Sequence, residues 1–241
     1  MKRRMLALAC LASLGQPAAA SAGEPHRAVQ WNGGAILATD YVWRGQSLTA
    51  GKPSITAEIK MSHDSGAFAG IWAGNIDLGS QADANAEIDW FFGWAKKIGK
   101  TRINTGYLYR QRPSDTQSLD FQEITASVSY DFGIMRLGAG GYYSWDYFQG
   151  GHSTYGYANL GVPIAKPHGV QVLVLATAGR YDFSNRAIGD YANIDLRVVA
   201  KHGSREYSIG YSDTDIDRKR SGLLTRNQSG PRWRAQVLFA F

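Results

Sequence analysis

Five histidines are the natural general bases of this 241-residue chain: His26, His63, His152, His168 and His202. His63, His168 and His202 fall where short turns are expected, His152 in a longer connection and His26 near the start. None shares a strand with a serine and an acid, and no GxSxG, metal-spaced histidine pair or glycine-rich phosphate loop occurs. Catalysis, a metal and a cofactor are therefore not expected. The charged residues offer other chemistry, because many recur two apart inside apolar segments: Glu58 and Lys60, Glu87 and Asp89, Asp195 and Arg197, Arg232 and Arg234. Such spacing puts both charges on one face of a strand, where they can recognise an ion or pair with charges opposite.

The elements that must hold them are strands, since apolar and polar residues alternate with a period of two. Ile55, Ala57, Ile59 and Met61 interleave with Ser54, Thr56, Glu58, Lys60 and Ser62; Ile124, Ala126, Val128 and Tyr130 with Glu123, Thr125, Ser127, Ser129 and Asp131. Continued along the chain, the pattern gives twelve strands, at 28–44, 54–62, 67–76, 85–95, 102–111, 120–131, 134–146, 154–161, 169–181, 191–200, 204–212 and 231–241. The eighth is the shortest; miscounting it or the final loop would give ten or fourteen. Long and short connections alternate: Gly45 to Pro53 is followed by the tight His63-Asp64-Ser65-Gly66, and the last long one runs from Asp213 to Gly230.

Ahead of these strands, Lys2, Arg3 and Arg4, an apolar stretch from Met5 to Leu14 and the small residues Ala20-Ser21-Ala22 read as a secretory leader, residues 1–22. Ala7 stands three before Cys10, where a lipoprotein signal would have an aliphatic residue such as leucine. Cleavage leaves residues 23–241 with 23 basic and 20 acidic residues and no cysteine, hence no disulfide. The positive surplus is small and dispersed, so a nucleic-acid partner is not expected. No run approaches the about 20 apolar residues of a spanning helix.

A soluble barrel would have to bury the large side chains of twelve strands, yet about eight strands already enclose a side-chain-filled interior. Turning the apolar face to lipid removes that difficulty, and long loops at one rim with short turns at the other match a bacterial outer-membrane barrel. Aromatic girdles are then expected from Trp31, Tyr41, Trp43, Trp94, Tyr107, Tyr109, Tyr143, Trp145, Tyr207 and Tyr211. The last strand presents Trp233, Ala235, Val237, Phe239 and Phe241 outward, resembling the C-terminal signal read by the barrel-insertion machinery.

Thr39-Asp40-Tyr41-Val42-Trp43-Arg44-Gly45-Gln46-Ser47, His63-Asp64-Ser65-Gly66 and Gly70-Ile71-Trp72-Ala73-Gly74-Asn75-Ile76-Asp77 resemble the TorF-type porin family, formerly described as conserved hypothetical outer-membrane proteins. The likeness continues through Glu87-Ile88-Asp89, Gly106-Tyr107-Leu108-Tyr109 and Tyr130-Asp131, about half the chain beyond the leader. It implies a barrel in the outer membrane that passes small solutes, and names no substrate.

The expectation is thus an all-β, up-and-down transmembrane barrel of about twelve strands, acting as a passive channel for small hydrophilic solutes. A non-conducting structural or adhesive barrel with functional loops is the alternative. Asp40, Glu58, Glu87, Asp89, Glu123, Asp131, Asp146, Asp195 and Glu206 are expected to face inward with Arg44, Lys60, Arg102, Arg110, Arg136, Arg197, Arg232 and Arg234. Such balance predicts no strong preference for ion sign. The charges either set a transverse field across an open constriction or pair and plug the lumen. Asp40 and Arg44, about 13 Å apart on one extended strand, would pair with neighbours such as Glu58 and Lys60. Arg44, at the lip of the first long loop, is the leading candidate to line the pore. In the last loop, Asp213, Asp215 and Asp217 could bind a divalent cation, and Arg218, Lys219, Arg220 and Arg226 could clamp lipopolysaccharide phosphates; a solvated loop is the plainer reading.

Overall fold

The computed structural model describes residues 28–79, 82–113, 116, 119–184, 189–217 and 228–241. The expected leader, His26 and the loop cations Arg218, Lys219, Arg220 and Arg226 lie outside the described residues. In chain order the strands are β1 (Val29–Ala38), β2 (Val42–Trp43), β3 (Gln46–Ser47), β4 (Ser54–His63), β5 (Ala67–Asn75), β6 (Ala86–Ile98), β7 (Thr101–Gln111), β8 (Phe121–Asp131), β9 (Arg136–Ser144), β10 (Ser153–Ala165), β11 (Gln171–Phe183), β12 (Tyr191–His202), β13 (Arg205–Thr214) and β14 (Arg232–Ala240). All except β2 and β3 form one closed antiparallel barrel of twelve strands in sequence order, with β1 paired to β4 on one side and to β14 on the other.

Closure leaves no free sheet edge, and the alternation of side chains decides what each surface meets. Ile194, Leu196 and Val198 of β12 point outward and are exposed, while Asn193, Arg197 and Val199 point inward and are buried. Ile209 is 62% exposed and Trp233 72%, the reverse of a water-soluble protein. So large an apolar exterior calls for a hydrocarbon solvent. Aromatic rings sit near strand ends on this surface, among them Trp31, Tyr143, Trp145, Tyr207 and Trp233, whereas Tyr41 and Trp43, expected in the girdles, turn into the barrel and pack there.

Two strands differ from expectation. The first ends at Ala38 instead of running to residue 44, because the chain leaves the barrel wall there and folds inward as β2 and β3. The eighth barrel strand, β10, is not short but spans 13 residues. Gly161-Val162-Pro163 resembles a turn, yet the strand continues through Pro163 with a register shift before Ala165, which accommodates a residue lacking an N–H donor.

Candidate functional site

The hairpin of β2 and β3 is a consequence of its own residues. Trp43 pairs with Gln46 across Arg44 and Gly45, whose φ angles are +48° and +82°. Positive φ at both central residues is what a two-residue type I′ hairpin demands, and glycine supplies it at the second without strain. A Cβ on Gly45 would also stand 2.6 Å from the Asn193 Cβ on β12, so only glycine lets the tip reach that wall. At the base, the Asp40 carboxylate accepts from the Ser47 hydroxyl at 2.5 Å, the Thr49 hydroxyl at 2.9 Å and Arg232 Nη1 at 3.0 Å. Leu48 N–H donates to the Tyr41 carbonyl at 2.7 Å, and Asp77 N–H to the Leu48 carbonyl at 2.7 Å. Outside the barrel wall, hydrogen bonds from Lys52 and from the Gly79 N–H hold the Asp77 carboxyl below the ordinary carboxylate range.

From this tip Arg44 crosses the lumen to β8, where Nη1 and Nη2 donate to the two carboxylate oxygens of Glu123 at 2.7 and 2.8 Å. Its guanidinium carbon lies 4.2 Å from the Trp43 ring, 4.3 Å from Tyr142, 4.5 Å from Tyr155 and 5.0 Å from Tyr181. Rings present negative faces to the cation, so the charge is held on every side though Arg44 and Glu123 are almost fully buried. Beyond them Phe121, Tyr147, Tyr181, Phe183 and Tyr191 pack on one another, with Tyr181 fully buried. Beside them, Arg110 bonds Asp89 at 2.9 and 2.7 Å, and Arg112 bonds Glu87 at 3.1 and 2.9 Å. Together these layers fill the long-loop end of the barrel among the described residues.

Toward the short turns the interior opens into a cavity of about 730 Å³ that reaches Gly133, Gly203 and Ser204. Its charged lining comprises the bases Arg44, Lys60, Arg102, Arg110, Arg136, Arg197, Lys201 and Arg234 and the acids Asp40, Glu58, Asp89, Asp131 and Asp195; Phe241, with the terminal carboxylate, also borders it. Asp195 bonds Arg234 and lies 3.0 Å from Arg197 Nε, while Asp131 lies 3.6 Å from Arg136. Glu58 and Lys60 share the β4 wall, away from Asp40 and Arg44, which find other partners. Arg232 stands beside Asp40 near the long-loop end. Glu87, Glu123 and Glu206 are buried inward but do not border the cavity.

Two placements need correction. Arg44 is not at a strand lip but at the hairpin tip, because the wall strand ends six residues earlier. Asp146 is exposed in the connection after β9, since that strand stops at Ser144 and its alternation lapses. Asp213 and Asp215 spend carboxylate oxygens on Thr214 N–H at 2.8 Å and Ala192 N–H at 2.6 Å. Among the described residues no cluster of three or more acids, histidines or cysteines could hold a metal. Reading charge alone overlooked the aromatic plug and Arg112. Its signal was present, because Phe121, Tyr155, Tyr181, Phe183 and Tyr191 all occupy inward-facing positions near the long-loop ends.

A family model described as "Bacterial protein of unknown function (Gcw_chp)" matches residues 20–237, and the chain belongs to that family. No curated protein sequence matches it significantly. Among solved structures, the NanC porin superposes with a TM-score of 0.58 at 10% identity, covering 87% of this chain and 99% of that one. The KdgM porin does so with a TM-score of 0.58 at 6% identity, again over 87% and 99%. At these identities the likeness establishes the closed twelve-stranded barrel.

Proposed function

We propose that this Gcw_chp-family barrel is an outer-membrane channel for passive diffusion of small hydrophilic solutes, with the inward hairpin as its constriction. The observation that carries this reading is the cavity of about 730 Å³, bordered by thirteen charged side chains, inside a wall whose outer face is apolar. A lumen that is only scaffolding has no need for a charge-lined cavity reaching one rim. The porins NanC and KdgM, which share the fold, support the assignment, as do the segments resembling the TorF-type porins. In this reading residues 1–22 are a cleaved leader, the short turns face the periplasm, Phe241 addresses the insertion machinery, and the outer rim meets lipopolysaccharide. Lining the path are Asp40, Arg44, Glu58, Lys60, Asp89, Arg102, Arg110, Arg136, Asp195, Arg197 and Arg234, with Glu87, Glu123 and Arg232 supporting the constriction. No step requires catalysis or a cofactor.

Planar-bilayer recording tests it. Discrete ohmic openings are expected, with larger steps when residues 41–49 are replaced by a short turn. The packed aromatic layer at the long-loop end favours one competitor, a non-conducting barrel. Silence from both the full chain and the hairpin-deleted variant, each verified as inserted and folded, would establish it.

A further inference from the structure

Most bases of the lumen have an acid beside them, Arg136 with Asp131 and Lys60 with Glu58 included, and near the short-turn mouth one guanidinium is left unanswered. Arg102 is the second residue of β7, where its side chain borders the cavity. It has no ion pair or side-chain hydrogen bond among the described residues, and its Nη1 is buried without a partner. The charges that act on it directly are like-signed, Arg136 and Lys60, each of which has an acid of its own nearby in Asp131 and Glu58. A buried N–H donor with no acceptor is costly, and neighbouring cations add to that cost unless an anion answers Arg102 itself.

The wall around Arg102 is suited to supply the rest of a site. Register places Arg102 opposite Ser129 and Asn104 opposite Ser127, and the next strand opposes those serines with Gly138 and Gly140. The missing side chains admit Asn159 and Tyr157 over the wall: a Cβ on Gly138 would meet Asn159 Oδ1 at 2.6 Å, and one on Gly140 the Tyr157 hydroxyl at 2.6 Å. Hydroxyl and amide groups thus line the cavity on the strands next to Arg102, whose planar guanidinium fork matches two carboxylate oxygens.

We propose that Arg102, with Arg136 beside it, is an anion-binding site just inside the short-turn mouth, taking the carboxylate of a small hydroxylated organic acid whose hydroxyls meet Ser127, Ser129 and Asn159. This rests on the channel reading and gives its solute a chemical class. The excess of bases over acids in the cavity lining acts in the same direction, favouring entry of anions where the overall inward composition is balanced.

Sodium gluconate titrated calorimetrically into the detergent-solubilised full chain at low ionic strength tests the site without requiring conduction. Saturable binding is expected, weakened about tenfold or more by Arg102→Gln, the loss of one charge-assisted interaction. In planar bilayers under a KCl gradient, the zero-current potential should have the sign of anion preference and move toward the cation side in Arg102→Gln. Asp131→Asn, which removes the carboxylate 3.6 Å from Arg136, should strengthen anion preference, a gain that a misfolded barrel cannot produce. Absence of gluconate binding, or equal affinity in Arg102→Gln, overturns the site even if the channel conducts. Arg102-dependent binding to a barrel that never conducts overturns the channel reading and keeps the site.

Discussion

At the scale of single residues, Arg44 holds the interior together, since one guanidinium joins the hairpin tip to Glu123 and to four aromatic rings on four different segments. Removing one partner of a buried ion pair leaves the other charged and unanswered, at a cost of about 3–5 kcal/mol. Arg44→Ala is therefore expected to lower barrel stability by roughly that amount, measured by urea unfolding in lipid vesicles, and to enlarge the single-channel step. The double variant Arg44→Ala, Glu123→Ala should be more stable than the two separate losses predict, because it removes the stranded carboxylate as well. The importance of Arg44 was legible from an inward charge at the start of the first long loop. Its partner was not, because Glu123 lies 79 residues away and alternation reveals the face a side chain occupies without revealing which strands stand opposite.

At the scale of elements, strand positions followed from a period of two, and the departures came where backbone chemistry overrode the pattern. Asp40-Tyr41-Val42-Trp43-Arg44 alternates like a strand, but Arg44-Gly45 is also a two-residue turn flanked by residues able to pair, and the turn prevails. Pro163 lies beyond the expected strand end at residue 161 and is instead followed by a local irregularity within β10. Gly45→Val tests the turn: a β-branched residue at that positive φ costs about 1–3 kcal/mol and drives its Cβ against Asn193. Expected are a hairpin that opens to proteolysis between Trp43 and Gln46 in folded protein, and bilayer currents that flicker, while the far-ultraviolet signature of the barrel persists.

At the scale of the whole molecule, one orientation governs everything: oily side chains outside, ionised ones within. Leu196, half-exposed at the middle of β12, is a position where an arginine would face acyl chains. Leu196→Arg should destabilise folding into vesicles by about 2–4 kcal/mol, measured by equilibrium unfolding, whereas the native Arg197 beside it is accommodated because it points the other way. The cylinder also has a weak seam. The chain meets β14 and Phe241 over the stretch from Gly33 to Thr39, whereas β1 meets β4 along its full ten-residue length. Directly above that seam the chain turns inward, and there Arg232 of β14 grips Asp40 while Ala235 N–H donates to the Thr39 hydroxyl. The same few residues thus rivet the first staves to the last and seat the stopper, so zipping the cylinder shut and corking it are one event in assembly. A variant selected for freer flow through this bore should also come apart along its side at a lower temperature.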